Sequence, residues 1–194
     1  MPVLLIRLEG PMQSWGTQSR FLMRDAGLEP SKSGVIGLLC AALGRPRHEP
    51  LDDLSSLGMG VRVDREGKLA REYQTAGGEH RQGEVLGHDT KGRPIPYGVI
   101  KADGSKPDTV QSWRYYLADA SFLVGLTGEE SVLRQIHEAV TRPRWPMSLG
   151  RKSYVPSVPV HLPDGLRDTD DLLAAFRHYP WQPPSSNPPS HIRL

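Results

Sequence analysis

Apolar residues along this chain gather in short runs, separated by breaks rich in glycine and proline, and the period of each run predicts an element. Val3–Leu8 (VLLIRL) is a short, mostly apolar run of the kind seen in central strands, and Gly10 and Pro11 stop it. Gly16–Pro30 reads as a loop. Ser31–Leu43 (SKSGVIGLLCAAL) predicts a helix with Ser31 or Ser33 as N-cap, apolar nearly all round and so sandwiched in the core, with Gly44 and Pro46 ending it. Met59–Asp64 alternates as a strand does, Arg65–Gly67 reads as a turn, and Leu69–Thr75 as a second strand. Trp113–Leu126 predicts another strand. Thr127–Glu130 (TGEE) has the form of a capping box, and Val132, Leu133, Ile136 and Val140 make one helical face after it. Tyr154–His161 is at best a proline-broken edge strand. Asp170–His178 predicts a short last helix with Leu172, Leu173 and Phe176 inward.

The order is strand, helix, strand, insertion, strand, helix, strand. That is the α+β, ferredoxin-like β-α-β-β-α-β plan, whose sheet RNA-recognition modules use and many unrelated proteins share. One domain over residues 1–194 is expected from the length. Gly77–Asp108 interrupts it. This stretch is rich in glycine, proline and charge and poor in large aliphatics, so it cannot build a core; it is either disordered or an arm that orders on a partner. The tail from Pro180 has five prolines in fifteen residues and reads as extended.

Composition narrows the chemistry. Net charge is only +2, so no global field marks a nucleic-acid binder, yet the cations comprise 18 Arg and 6 Lys. They are also patchy: Arg142–Ser153 and Ser31–His48 are basic and carry no acid. Local basic patches in a near-neutral chain suit a protein that touches phosphate on one face. The single Cys40 excludes a disulfide framework and suits a reducing cytoplasm; no cysteine–histidine spacing suggests zinc, and no cofactor is expected. No run approaches the roughly 20 apolar residues that span a bilayer.

Four places could carry binding chemistry. At Ser31–Gly34, backbone N–H groups, hydroxyls and Lys32 converge at a helix start, so Lys32, Ser33 and Gly34 make either a phosphate site or an ordinary cap. After the first strand, Gln13 could read a base edge and Trp15 could stack one, with Arg20 and Arg24 close by in sequence. In Leu149–Ser153, Gly150 allows close backbone approach while Arg151, Lys152 and Ser153 offer cations and a hydroxyl; Arg142 and Arg144 extend the patch. In the insertion, His80, Arg81, His88, Lys91, Arg93, Tyr97 and Lys101 form a basic arm dotted with rings. Metal-free RNA cleavage would need a base, an acid and a charge stabiliser held in register. His80, His88, Tyr97 and Lys101 could serve, but no spacing singles out a pair.

Five blocks in one order, LEGPMQSWG, PSKSGVIGLLCAALGR, EYQTAG, TVQSWRYYLADASFLV and PRWPMSLGRKSYVPSVPV, resemble the CasD family of type I-E CRISPR systems from Val3 to about Pro159. The resemblance implies a ferredoxin-like body with a thumb at residues 77–111. It implies a non-enzymatic subunit of the Cascade surveillance complex that clamps the 5′ handle of the crRNA, caps one end of the backbone filament, touches the large subunit and meets target DNA only indirectly. Arg114 is counted with the RNA-binding residues. A sister branch in type I-C systems is itself the ribonuclease, so a pre-crRNA repeat endoribonuclease is the alternative. The chain departs from the family pattern after Pro159, where it is short and ends in the proline-rich tail.

Overall fold

The computed structural model describes residues 2–16, 22–76, 85–88, 90–96 and 109–181. In chain order the elements are β1 (Val3–Glu9), β2 (Met12–Gln13), β3 (Met23–Arg24), α1 (Lys32–Leu43), α2 (Asp52–Ser55), β4 (Gly58–Arg65), β5 (Lys68–Ala76), β6 (Val85–His88), β7 (Pro94–Pro96), β8 (Val110–Ala118), β9 (Ser121–Thr127), α3 (Glu130–Thr141), β10 (Leu166–Arg167) and α4 (Leu172–His178). The chain divides into two compact units. The first comprises Met1–Thr17, Asp25–Ala70 and Tyr115–Leu194, and the second Gln18–Arg24 and Arg71–Arg114.

The first unit is built on a sheet of order β10-β1-β9-β4 in which every neighbouring pair is antiparallel. β1 and β9 are covered on both faces, which is why their sequences run apolar without alternation. Alternate residues still sort to opposite sides. Leu4, Ile6, Leu8, Phe122, Val124 and Leu126 join the core that holds Leu39 of α1 and Leu133 and Ile136 of α3. Val3, Leu5 and Leu123 meet Ala175, Phe176 and Tyr179 on the other side. There, Gly60 and Gly125 are cross-strand partners, and a Cβ on either would lie 2.7 or 2.3 Å from a Leu172 methyl, so α4 rests directly on backbone. A buried guanidinium pins the end of α4. Arg62 pairs with Asp64 (Nε to Oδ1, 2.7 Å) and donates to the Phe176 and Tyr179 carbonyls.

In the second unit the first half of β8 pairs with β3 in parallel, Met23 opposite Trp113 and Arg24 opposite Arg114, and β5 also pairs with β8. β6 and β7 form an antiparallel hairpin.

Several expectations are corrected. Trp113–Leu126 is two strands, β8 and β9, which belong to different sheets; the chain reverses at Asp119, whose φ of 56° is one that aspartate tolerates. Asp119 is the one polar mark of the break between two largely apolar halves. Thr127 caps nothing. It ends β9, paired with Val3, and the N-cap of α3 is Glu129, without a side-chain bond. Tyr154–His161 is not a strand, since Pro156 and Pro159 lack donors, although Val160 and Ser157 each share one backbone bond with β1. The neighbour of β1 on that side is the two-residue β10. Leu173 is exposed: with Asp171 as N-cap, the inward stripe runs through Ala175, Phe176 and Tyr179. The short elements β2, β3 and α2 were not foreseen. Within Gly77–Asp108, read as either disordered or an arm that orders on a partner, the described residues pair as the β6–β7 hairpin, with Gly92 at φ 70° between the two strands; the rest of that stretch lies outside the described residues.

Candidate nucleic-acid interface

The first unit carries a groove of about 1000 Å3. Its floor is the outward side of α1 at Gly37, Cys40 and Ala41. The helix starts with the Ser31 hydroxyl accepting from the Gly34 N–H (3.3 Å) and stops at Gly44, whose φ of 73° only glycine adopts cheaply. One wall is Trp145, Pro146, Ser148 and Lys152. It is strapped to the end of α1 by the Arg144 and Trp145 N–H groups, which donate to the Ala42 and Ala41 carbonyls at 2.9 and 3.1 Å. Both carbonyls belong to the last turn of the helix, where Ala41 also accepts from the Gly44 N–H (3.3 Å), and these two bonds from the strap place Trp145. The opposite wall is Arg45, Pro46, Arg47 and Leu51.

The electrostatics are uneven. Arg45 forms a fork with Asp53 (Nη1 to Oδ1, 2.7 Å), and this hydrogen bonding holds the Asp53 carboxyl below its ordinary range. The charge of Arg45 is thereby offset, and Arg47 and Lys152, both exposed, supply the groove's net positive charge. Trp145 is 46% exposed. Burial pushes the Cys40 thiol up, so the floor stays neutral. An exposed indole, an apolar floor and two cations that form no ion pair among the described residues can take a nucleobase on the ring and phosphates on the rim.

The residues singled out in the sequence fall into three groups. Gln13 and Trp15 are interior, which corrects the expectation that they read or stack a base. The Gln13 amide donates to the Leu8 and Ala120 carbonyls (3.2 and 2.8 Å) and accepts from the Trp15 indole. Trp15 is 1% exposed and lies against Gly34, where a Cβ would come within 2.8 Å of its ring. Gly34 is thus a packing residue. Lys32 is exposed and donates to the Ser55 carbonyl (2.7 Å), so the helix start has the form of an ordinary cap, with Ser33 exposed beside it.

The second group is outward. Gly150 has φ 93° and its Cα faces the Ser14 carbonyl, where a Cβ would sit at 1.9 Å, so the turn needs glycine in order to seat on the chain. Arg151 folds back on Tyr154 (Nη1 to Oη, 2.8 Å), leaving Lys152 and Ser153 at the exposed tip. Arg142 and Arg144 are exposed. In the second unit Arg24 is exposed, while Arg114 donates to the Ser112 hydroxyl (3.0 Å). Arg20, His80 and Arg81, with Tyr97 and Lys101, lie outside the described residues; His88 is exposed on β6.

Sequence reasoning missed Trp145 as a wall and Arg45 and Arg47 as its counterpart. A signal existed in the Arg-Pro-Arg triplets at 45–47 and 142–144, each just past a helix end. Among the described residues no cluster of three or more His, Cys, Asp or Glu could hold a metal, and no helix is long and apolar enough to cross a membrane.

Comparison with known proteins gives this groove its setting. The chain is 34% identical over 183 residues to the CRISPR system Cascade subunit CasD of Escherichia coli (strain K12), covering 91% of this chain and 76% of that one. A solved structure described as a crystal structure of a Cas protein superposes with a TM-score of 0.67 at 46% identity, over 92% of this chain and 71% of that one. A chain of a CRISPR RNA-guided surveillance complex does so with a TM-score of 0.68 at 37% identity, over 87% of this chain and 64% of that one. The family described as CRISPR-associated protein (Cas_Cas5) matches residues 3–190, and with these likenesses bearing out the resemblance read from the five blocks, the chain belongs to that family.

Proposed function

We propose that this chain is the subunit of a Cascade-type CRISPR surveillance complex that holds the 5′ handle of the crRNA, without cutting it, on a ferredoxin-like body. The observation that carries the reading is the groove that exposed Trp145 shares with Arg47 and Lys152, with Arg45 already neutralised by Asp53. Single-stranded RNA binders combine a stacking ring with cations in this way. The strand order β10-β1-β9-β4, with helices between first and second and after the third, supports the ferredoxin-like plan. The backbone and large subunits are the protein partners, and target DNA is met only through the assembled complex. The names of the relatives support the same setting.

A non-cutting role rests on the family likeness and on the lack of an assembled acid, base and charge stabiliser among the described residues. Two imidazoles do meet, His137 and His161, with ring centroids 4.8 Å apart. Burial, and then His137, lower the His161 pKa, and neither ring lines the groove.

Blocking the groove tests the reading. A Cβ on Gly37 meets nothing within 4 Å, so Gly37→Met extends into the groove without touching the core. Its removal of a helical glycine also favours the fold, by about 0.5–1 kcal/mol. The wild-type chain should bind repeat RNA carrying its handle more tightly than handle-deleted RNA and leave both intact. Gly37→Met should fold and lose that preference. Equal binding of both RNAs, or undiminished binding by Gly37→Met, refutes handle recognition here; specific cleavage at the base of the repeat hairpin establishes the ribonuclease alternative.

A further inference from the structure

We propose that the second unit carries a stacking platform of its own, in which Arg71, Tyr73 and Trp113 take one unpaired base of the RNA. The proposal rests on the reading that this chain holds guide RNA, and it adds a site that no groove residue forms.

Arg71 and Tyr73 stand two apart on β5 and therefore share a face of the sheet. Trp113 of β8 meets both. The Arg71 guanidinium carbon lies 4.3 Å from the Trp113 ring centroid, and the Tyr73 ring centroid is 4.9 Å from it at a 55° tilt. Met23, the register partner of Trp113 on β3, continues the surface. An aromatic pair that only held two strands together would be expected to be covered. Here Trp113 is 39%, Tyr73 46% and Met23 55% exposed. Glu72 is the only carboxylate on these three strands; it stands on the opposite face, where it accepts a hydrogen bond from Gln74. Among the residues of these three strands, the aromatic face thus offers one cation, two rings, a thioether and no acid.

That composition selects the occupant. An acidic peptide has no use for two exposed rings beside a single cation, and an apolar partner would bury the Arg71 charge without compensation. A nucleotide uses every part: its base stacks on Tyr73 or on the outer plane of the guanidinium, and its phosphate is neutralised by Arg71. Because Arg71 is already held over the indole, little side-chain freedom is lost on binding.

The test uses the full chain and fluorescent repeat-derived handle RNA, with one nucleotide at a time made abasic. Arg71→Ala, Tyr73→Ala and Trp113→Ala should each weaken binding roughly 5- to 150-fold, the range expected for one lost base–aromatic stack. Trp113→Phe should stay near wild type, whereas Arg71→Lys, which keeps the charge but not the plane, should not. One abasic position should give a comparable loss, and combining it with Arg71→Ala should cost no more than the larger single loss. Arg71 is exposed, so this arm stands even where Trp113→Ala unfolds the sheet. Wild-type affinity in folded Arg71→Ala and Tyr73→Ala overturns the proposal. So do losses that multiply at every abasic position, and so does a loss confined to capture of the backbone subunit, which would make the face a protein contact. If the wild-type chain does not prefer handle RNA, the reading of the whole protein fails first. If it does and Gly37→Met abolishes the preference while the platform variants bind normally, the platform alone is wrong.

Discussion

The groove's charge ledger makes a sharp prediction for the pair Arg47→Ala/Lys152→Ala. Three cations line the groove, but the Arg45 fork to Asp53 already holds one of them, so only two are available to displace counterions from RNA. For single-stranded nucleic acid, the logarithm of the binding constant falls with the logarithm of salt by about 0.7 per neutralised phosphate. Removing Arg47 and Lys152 should therefore flatten the slope by about 1.4. Between about 50 and about 200 mM salt, the wild type should lose roughly sevenfold more affinity than the double variant does. Anisotropy titrations of fluorescent handle RNA across that salt series measure this. Removing Arg45 and Asp53 together deletes a pair with no net charge and should leave the slope as it was. The reasoning is refuted if the folded Arg47/Lys152 variant keeps the wild-type slope, or if the Arg45/Asp53 variant flattens it equally.

Three further outcomes are expected. Gly150→Ala forces a left-handed backbone on a residue whose Cβ would sit 1.9 Å from the Ser14 carbonyl oxygen, so it should cost at least about 2 kcal/mol and lower Tm by about 4–8 °C in a thermal melt. Arg62→Met leaves Asp64 buried without its fork and should cost about 3–5 kcal/mol by denaturant titration, with Arg62→Met/Asp64→Leu recovering much of it; equal stability of the two variants would argue against the buried pair. His161 is held below its ordinary pKa by burial and by His137, so the unfolded chain takes up this proton at a higher pH than the folded one does. Stability present above about pH 6.5 should thus be lost as pH falls towards the depressed value, and His161→Asn should flatten that decline in melts between about pH 7 and 5.

Local physics was legible without coordinates wherever a single element carried its own signal. The unbroken run VLLIRL, the Ser31 cap and Gly44 stop around α1, and the Leu133, Ile136 and Val140 face of α3 each follow from the period and end groups of one stretch of chain. The five ordered blocks pointed to the family for a different reason: motif order survives without any knowledge of packing. What tertiary structure alone decided was exposure and convergence. Gln13 and Trp15 look like an RNA-reading pair in a loop, yet Gly34 opens a slot for the indole and two carbonyls claim the amide. Arg45, Arg47, Trp145 and Lys152 come from distant parts of the sequence, and they meet because the 144–145 strap bonds carbonyls of the last turn of α1. The split of Trp113–Leu126 into β8 and β9 likewise depends on which sheet each half joins. A periodicity reports which face of an element is apolar, but not which other segment will cover it, because that choice is made by packing between residues far apart in the chain.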